Sequence, residues 1–491
     1  MTAARHVVAS RGRQRLAADP SRVITRLFIP GQEGFEAHDS RAGSVVERIL
    51  ALDDAQVRAA LDDVLERFGD RHRDLVVTFG RHAHELADRL DPGIELSEDR
   101  MLLMGATFTN EVSIEGAALC NPSMVAHPDQ SDVPAGGLRF VMSVRGIGEG
   151  HRSSIGFRTG VIDGTGEVTV DGTAPVATSG TVIPTMLDAA LFNSELHDGH
   201  VDEATDYVLQ GLEARFTRAA LDEQLERLHR HRATWAHASE TIASMRSIAD
   251  RAYAVEFASA TEVSERVLWP ATDAESVGME DARFVRFVED DGSVAYHASY
   301  TAYDGARISQ QMLTTTDFRS FVSTPLVGDA AANKGMALFP RRIAGRFVAL
   351  SRSDRESNSV AVSDDLSVWT TATPLQQPAE PWEILQLGNC GPPLETSAGW
   401  LVLTHGVGPM RTYRIGAILL RLEDPTQMIG RLRSPLLSPG IGEQDGYVPN
   451  VVYSCGALLH ADTLVLPYGI GDAAIGFASV PLPRLLAALV G

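Results

Sequence analysis

Apolar residues recur at helical spacing in two regions of the chain. In "LDDAQVRAALDDVLERFGDR" they fall every three or four positions, Asp53 or Asp54 can cap the start, and Gly69 can end the helix. A second helical region runs from about Asp202 to Phe257. It includes "RLHRHRATWAH", which lacks carboxylates at matched spacing and therefore favours a solvated helix face over a metal site.

The rest of the chain shows the period-two alternation of β-strands, and the pattern repeats. From Asp281 the sequence predicts strand, turn, strand, strand and a closing Asp-Phe-x-x-Phe. From Phe339 the same order closes with Asp-Leu-x-x-Trp. The closing aspartates, Asp317 and Asp365, lie 48 positions apart. This period is typical of a four-stranded propeller blade.

Three further units, starting at Asn121, Gly391 and Pro449, fit this template less well. Five units predict an all-β core, a five-bladed β-propeller with N-terminal and inserted α-helical segments; alternating strands of a sandwich are the alternative. The predicted parts are an N-terminal helical extension (1–98), the first blade (99–183), a helical insertion (184–270) and the remaining blades (271–491).

The composition of the chain limits the classes of function that the protein can have. The 491 residues are 44% hydrophobic and 22% charged, enough to bury a large core. A net charge of −21 argues against non-specific affinity for nucleic acid or anionic membrane, so a bound phosphate would need a local cationic pocket. The arginine-interrupted start has no signal-peptide pattern, and we expect a cytoplasmic protein. The three cysteines are expected to be buried thiols.

The candidate functional residues lie where the second strand of each unit ends. Polar residues recur there: Arg145, then Tyr300, Tyr303 and Asp304, then Arg352, then His405, then Tyr468 with Asp472. In a propeller these positions converge on one axis, and cations with carboxylates in a concave site suit anion and sugar chemistry. We therefore predict Arg145, Tyr303 and Asp304 as sugar-binding residues.

The stretch "SVGMEDARFVRF" raises a related question about Asp281. A carboxylate in a turn before a strand is usually there for turn chemistry and solvation. Here, however, Asp281 stands at the head of a predicted innermost strand, which directs it to the same axis. The sequence therefore favours a functional carboxylate. Taken singly, the other candidates have plain explanations: Arg352 could pair with Asp354, and Asn121 or Asp472 could be cap or turn residues.

Several motifs in order resemble glycoside hydrolase family 130, the inverting β-mannoside phosphorylases and their hydrolytic relatives. They are "GMEDARF", "YTAYDGARI", "NKGMALFPRRI", "SDDLSVW", "LGNCGPPLETSAGWLVLTHGV", "YRIGAILLRLEDPTQMIGR" and "GYVPNVVYSCG". The resemblance covers about Ala117 to Val480 apart from the helical insertion. The family's Glu-Asp-Pro-Arg motif is here Glu-Asp-Ala-Arg, which retains the carboxylate.

The resemblance also implies roles for individual residues. Asp281 would be the general acid, acting through a sugar hydroxyl, and Asn121 and Asp472 would hold the mannosyl unit. The residues that would bind phosphate are Lys334, Arg352, His405, Tyr413 and Arg152. Arg145 and Arg414 match less closely.

Physical chemistry agrees with phosphorolysis. Inverting hydrolysis needs a second carboxylate roughly 6.5 to 9.5 Å from the acid, whereas phosphate is already a charged nucleophile and needs cations to hold it. We expect a β-mannoside phosphorylase that uses inorganic phosphate as co-substrate and requires no cofactor or metal. Its expected partners are a β-mannoside oligosaccharide and phosphate, and the helices offer apolar faces for contacts between copies of the chain.

Two alternatives remain open from the sequence. One is an inverting β-mannoside hydrolase with Glu443 or Asp304 as its base. The other is a propeller that binds glycans without cleaving them, against which Asp281 and the cationic set argue. The acceptor sugar and its linkage are not fixed by these motifs.

Overall fold

The structure is a computed structural model that describes residues 7–30, 41–87, 96–197, 203–232, 235 and 237–490. Its N-terminal part contains β1 (Ser10–Ala17), β2 (Val23–Leu27), α1 (Arg41–Leu50), α2 (Asp54–Phe68), α3 (Leu75–Ala87) and α4 (Glu98–Thr107). Asp53 caps α2 by accepting from the Gln56 amide at 2.9 Å, and Gly69 ends it, as predicted. The predicted extension also contains two strands, and α4 begins at its last residue and continues into the part predicted as the first blade.

The first group of antiparallel strands follows α4. Strand β3 (Thr109–Ser113) comes first, and the group itself consists of β4 (Ala118–Ala126), β5 (Leu138–Ile147), β6 (Ser153–Ile162) and β7 (Val168–Val170). Strands β4 to β7 pair in chain order, whereas β3 pairs with β2. Eight of the nine residues of β4 are buried, so this strand is covered on both faces.

Two short strands, β8 (Thr178–Ser179) and β9 (Thr181–Ile183), precede the predicted insertion (184–270). Within the insertion, the described residues form four helices and several short strands: β10 (Leu187–Asp188), α5 (Ala189–His197), α6 (Glu203–Leu209), β11 (Arg215–Phe216), α7 (Arg218–Arg232), α8 (Ala238–Asp250), β12 (Tyr253–Glu256) and β13 (Arg266–Leu268). The helices share one apolar core, which includes Phe192, Leu225 and Met245. Strand β13 pairs with β6, so the insertion ends inside the strand framework.

The second and third groups are four-stranded and antiparallel in chain order. The second consists of β14 (Gly278–Val288), β15 (Val294–Tyr303), β16 (Ile308–Thr315) and β17 (Ser320–Pro325). The third consists of β18 (Ala337–Leu338), β19 (Phe347–Ser351), β20 (Asn358–Ser363) and β21 (Ala372–Gln376). Strand β12 adds to the outer edge of β17.

The fourth and fifth groups complete the chain. The fourth has β22 (Gln386–Asn389), β23 (Leu394–Thr396), β24 (Gly399–Gly408), β25 (Thr412–Leu420) and β26 (Met428–Arg431). The fifth has β27 (Val452–Tyr453), β28 (Leu458–His460), β29 (Thr463–Ile470) and β30 (Ala474–Pro481), followed by α9 (Leu482–Val490). The outer strand of the fifth group is β1, which pairs antiparallel with β30.

The repeated aspartates mark equivalent turns. Asp317, between β16 and β17, accepts backbone N–H bonds from Arg319 and Ser320 at 2.8 and 2.9 Å. Asp365, between β20 and β21, accepts one from Ser367 at 2.6 Å. In both turns an aspartate side chain replaces backbone hydrogen bonding before the fourth strand. The sequence period therefore corresponds to one strand group in the second and third groups.

Apolar clusters join successive groups and also the last to the first. Aromatic pairs link the second group to the third, with Phe287 and Phe347 ring centroids 5.5 Å apart, and the third to the fourth, with Phe339 and Trp400 5.2 Å apart. Separate clusters join the first group to the second, the fourth to the fifth and the fifth to the first. The core thus lies between the strand groups, and its clusters connect the groups in a closed order.

The cysteines match the expectation from the sequence. Cys120, Cys390 and Cys455 are buried and free, as the sequence predicted. Within the described ranges, every helix is too short or too polar to cross a membrane.

Candidate active site

A cavity of about 180 Å³ opens where the five strand groups meet. It is lined by Asn121, Arg145, Asp281, Lys334, Arg352, Gln386, His405, Arg411, Tyr413, Val448, Val451, Tyr453 and Asp472. Each of the five groups contributes at least one of these residues. Residues far apart in sequence are therefore brought together by the packing of the groups, and eight of the predicted site residues are among them.

Asn121 and Asp281 occupy the same kind of position in equivalent strands. The pairing register of β4 shifts between Cys120 and Ser123, and that of β14 shifts between Glu280 and Arg283. Such β-bulges re-aim a side chain, and they are common beside active sites. Asp281 therefore lies near the start of β14, which begins at Gly278, as the sequence predicted, but at a bulge that the sequence did not predict.

The bulges place both residues in left-handed backbone conformations. The φ angles are +49° for Asn121 and +56° for Asp281. Asp472, in the turn between β29 and β30, has φ +48°. Non-glycine residues adopt this region at a cost, and Asn and Asp tolerate it better than most. With Arg411, whose φ is +52°, four polar residues that line the cavity share this unfavourable backbone conformation.

Asp281 is buried in a network of donors. Asn121 Nδ2 donates to its Oδ1, Arg145 Nη1 lies 3.4 Å from the same oxygen, and Arg283 Nη1 donates to its backbone carbonyl at 3.0 Å. Burial alone raises the pKa of Asp281, but the charges of Arg145 and Lys334 outweigh it and lower this pKa from 3.8 to about 2. Asp281 is therefore ionised at neutral pH when the cavity holds no anion.

Asp472 shows the opposite shift. Burial and the charge of Asp281 raise its pKa from 3.8 to about 6, although Arg145 and Lys334 oppose the shift. The cavity therefore contains two carboxyl groups whose pKa values are pushed apart, an arrangement that allows one to be charged while the other holds a proton.

Arg352 and Lys334 lie on two loops that are linked to each other. Arg352 Nε donates to the Leu387 carbonyl at 2.9 Å, and its Nη2 donates to the Arg355 carbonyl. Arg355 Nε in turn donates to Asn333 Oδ1 at 2.7 Å, beside Lys334. The two cations are thus held on a shared scaffold, and Arg352 does not form the surface ion pair with Asp354 that would explain it without a site.

His405 contributes a neutral imidazole. Its Nδ1 lies 3.1 Å from the Asn389 carbonyl, which can only accept, so the proton is on Nδ1 and Nε2 is an acceptor. Burial and the neighbouring Arg352 lower the pKa of His405 from 6.5 to about 3. The rings of Tyr413 and Tyr453 lie 6.0 and 5.0 Å from the imidazole. His405 is therefore neutral, and its Nε2 can accept a hydrogen bond but not donate one.

The strand β22 makes room for this pair of side chains. A Cβ on Gly388 would lie 2.5 Å from His405 Cε1 and 2.8 Å from Arg352 Cδ. Contacts this short are not tolerated, so only glycine allows both side chains to pack here.

Three predicted site residues lie outside the cavity lining. Arg152 donates to the Ser276 carbonyl at 3.0 Å and stacks over Trp269 at 5.6 Å. Tyr303 donates to the Gly305 carbonyl at 2.8 Å. Asp304 accepts from the Ala306 and Arg307 amides at 2.8 and 2.6 Å. The last two stabilise the turn between β15 and β16, so turn chemistry accounts for them.

Other predicted positions are also occupied by structural contacts. Tyr300 is fully buried and donates to Glu275 at the back of the sheet. Glu443, considered as a hydrolytic base, accepts from Arg11 and Tyr468 and does not line the cavity. Asp472 is thus the one carboxylate besides Asp281 among the cavity-lining residues.

Sequence reasoning missed five lining residues: Gln386, Arg411, Val448, Val451 and Tyr453. Gln386 lies two positions before Gly388 in β22 and therefore on the same face of the strand. The period of two along a strand could have identified Gln386 as a lining residue. Arg411 lies in the turn between β24 and β25 with φ +52°, and no local pattern identifies it. Tyr453 accepts from Arg283 Nη2 at 2.7 Å, a contact between residues 170 positions apart.

Comparison with known proteins gives a family. Residues 200–490 match the model of glycoside hydrolase family 130, described as β-1,4-mannooligosaccharide phosphorylase. A 1,2-β-oligomannan phosphorylase of Thermoanaerobacter sp. (strain X514) is 37% identical over 214 residues, which are 42% of this chain and 69% of that protein. A β-1,2-mannobiose phosphorylase of Listeria innocua is 29% identical over 232 residues, which are 45% of this chain and 62% of that protein.

A solved structure is also similar. The β-1,2-mannobiose phosphorylase from Listeria innocua, in complex with β-1,2-mannobiose, aligns with a TM-score of 0.45 and 20% identity over 77% of this chain and 93% of that one. The family match spans more than half of the chain and includes Asp281 and the cavity residues that follow it. The chain belongs to glycoside hydrolase family 130, the family of the mannoside phosphorylases.

Proposed function

We propose that the protein is an inverting β-mannoside phosphorylase. It cleaves a β-mannoside with inorganic phosphate and yields α-mannose 1-phosphate and a shortened acceptor sugar. The observation that carries this proposal is the single cavity in which Asp281 stands among Arg145, Lys334 and Arg352. On a protein of net charge −21, such a local excess of cations suits an anionic co-substrate.

Lys334, Arg352 and Tyr413 are the proposed phosphate ligands, together with the neutral His405. Arg411, which the sequence did not single out, adds a further guanidinium to the lining. Because His405 Nε2 is an acceptor, it would bind a protonated phosphate oxygen, or would itself take up a proton once the anion arrives. These residues would hold phosphate in line with the anomeric carbon, and such positioning is a large part of catalysis.

Asn121, Arg145 and Asp472 are the proposed ligands of the mannosyl unit. Asp281 is the proposed general acid, acting through a sugar hydroxyl on the leaving oxygen. Its low pKa requires that it gain a proton in the ternary complex. Bound phosphate supplies the reason, because its negative charge offsets Arg145 and Lys334, the cations that keep Asp281 ionised. A phosphate oxygen then bonds to the anomeric carbon as the glycosidic bond breaks on the opposite face, and the leaving oxygen gains the proton of Asp281 through the sugar hydroxyl.

We also propose that the five strand groups are the blades of a five-bladed β-propeller. The closed order of the apolar clusters supports this, since the fifth group packs against the first. The pairing of β1 with β30 would close the last blade with a strand from the other end of the chain.

The reverse reaction tests the proposed function. The protein is incubated with α-mannose 1-phosphate and a panel of acceptors that includes mannose, glucose and N-acetylglucosamine. We expect phosphate release with at least one acceptor, together with a new β-mannoside. Release of free mannose at the same rate with and without acceptors would contradict phosphorylase activity.

A further inference from the structure

One side chain of the N-terminal strand β1 contacts the segment between β26 and β27. Arg11 Nε donates to Glu443 Oε1 at 3.0 Å, and Arg11 Nη2 donates to Oε2 at 2.7 Å. The same Nη2 donates to the Ser438 carbonyl at 2.6 Å. Two parallel bonds from a guanidinium to one carboxylate form the most directional type of ion pair. This pair joins residues 432 positions apart in sequence.

The carboxylate of Glu443 is almost buried, and both of its oxygens accept hydrogen bonds. Its side chain is 11% exposed, whereas that of Arg11 is 37% exposed. Tyr468 donates to Oε1 at 2.7 Å, and the Gly440 amide donates to Oε2 at 2.8 Å. Exposed ion pairs contribute little, but removing one partner of a buried charge leaves that charge uncompensated. Without Arg11, Glu443 would retain only neutral donors.

Glu443 belongs to a segment, residues 438–451, that we call the rim loop. It supplies Val448 and Val451 to the cavity lining. The Val448 amide donates to the Gly471 carbonyl at 2.8 Å, and the Gly471 amide donates to the Val451 carbonyl at 2.8 Å. The rim loop is therefore hydrogen-bonded to the turn that carries Asp472.

The rim loop and this turn also touch at van der Waals distance. A Cβ on Gly446 would lie 2.3 Å from the Gly471 carbonyl oxygen and 2.7 Å from Gly471 Cα. The two backbones leave no space for a side chain between them. A displacement of the rim loop would therefore also displace Asp472, whose own φ of +48° the turn must maintain.

We propose that Arg11 is a positioning residue of the sugar site. It fastens the rim loop through Glu443, and the rim loop holds the turn that presents Asp472 to the cavity. The consequence for activity rests on the proposed function, in which Asp472 contacts the mannosyl unit. The mechanical part of the proposal, that Arg11 keeps the rim loop ordered, does not rest on the proposed function.

The mechanical part is tested by amide hydrogen exchange on Arg11→Gln, with Arg13→Gln as the matched control. Arg13 lies on the same strand and is exposed, so the control makes the same change of charge. We expect faster exchange in peptides covering 440–451 and 469–473 for Arg11→Gln alone, with the rest of the strand framework unchanged. Unchanged exchange in these peptides would overturn the proposal, as would equal acceleration in Arg13→Gln.

Steady-state kinetics test the consequence for the sugar site. For Arg11→Gln we expect kcat/KM for the mannoside to fall about tenfold, mainly through KM, with the KM for phosphate changed much less. Arg11→Lys, which keeps the charge but not the fork, should lie between Arg11→Gln and wild type. A loss of kcat with both KM values unchanged would indicate a merely structural role and contradict the proposal.

The two proposals fail in different ways. If the wild-type protein shows no phosphate-dependent cleavage, the proposed function fails, while hydrogen exchange still decides whether Arg11 orders the rim loop. If the wild type is a phosphorylase and Arg11→Gln leaves both exchange and kinetics unchanged, only the role of Arg11 is rejected. The double variant Arg11→Gln/Glu443→Gln should show nearly the same exchange rates and kinetics as Arg11→Gln alone, because each substitution removes the same ion pair.

Discussion

Asn121, Asp281 and Asp472 meet in one cavity, and all three have positive φ angles. Each such residue costs on the order of 1–3 kcal/mol and persists only where surrounding structure enforces it. Here two β-bulges and one tight turn do so. These strained residues are the ones that we propose bind the sugar and transfer the proton, which agrees with a preorganised site.

Asp281→Asn separates chemistry from shape. Asn keeps the size and the acceptor oxygen that Asn121 contacts, but it cannot transfer a proton. We expect kcat to fall by roughly 10² to 10⁴, with the circular dichroism spectrum and melting temperature nearly unchanged. Asp304→Asn is the matched control, because Asp304 lies in an exposed turn and should leave turnover near the wild-type value. Near-normal turnover of folded Asp281→Asn would remove Asp281 from the mechanism.

The raised pKa of Asp472 predicts a pH-dependent affinity for the sugar. Below about pH 6 this carboxyl holds a proton, and above it the ionised form accepts hydrogen bonds from sugar hydroxyls more strongly. Binding of mannose, measured by calorimetry without phosphate, should therefore strengthen as the pH rises from 5 to 7. Asp472→Asn should flatten this dependence. A wild-type profile identical to that of Asp472→Asn would show that Asp472 does not titrate in the site.

The sequence predicted the kinds of side chain that line the cavity better than it predicted which residues lie outside the cavity. Motif order identified Asp281, Arg352 and His405, all of which line the cavity. It could not show that Tyr303 and Asp304 bond within their own turn, because turn residues and site residues have the same side chains. Nor could it show that His405 is neutral, since its pKa depends on burial and on Arg352.

The elements that carry the site are strands whose irregularities matter more than their regular parts. Alternation predicted the strands and the repeated Asp317 and Asp365 turns. It did not predict the bulge at Asp281, because one extra residue in a strand leaves no periodic signal that differs from a turn. Close approaches between strands, such as that of Gly388, are likewise visible only once both strands are placed.

Gly388→Ala tests this close approach in β22. The added methyl group would meet both His405 and Arg352, so at least one must move. We expect the KM for phosphate to rise at least tenfold while the protein remains folded, since loss of a charge-assisted contact costs about 1.5–3 kcal/mol. Gly69→Ala is the control, because its Cβ would meet nothing within 4 Å. An unchanged KM for phosphate in Gly388→Ala would argue against Arg352 and His405 as phosphate ligands.

At the scale of the whole molecule, the cavity exists because five strand groups pack in a closed order. The repeated sequence units predicted groups of antiparallel strands, but the pairing of β1 with β30 was not foreseen. The sequence assigned the first 98 residues to a helical extension, whereas one of their strands completes the last sheet. Contacts across 432 positions, such as Arg11 with Glu443, follow from this closure and leave no local pattern.

In the proposed reaction, the cations of the cavity hold a phosphate that attacks the sugar. A pair of reactions on one β-mannoside, with and without inorganic phosphate and with products identified by NMR, tests this attack. We predict cleavage only with phosphate, and α-mannose 1-phosphate as the sugar product, because attack on the opposite face inverts the anomeric centre. Equal rates in both reactions, with free mannose as the sole sugar product from the cleaved unit, would contradict phosphorolysis and point to Asp472 as a hydrolytic base.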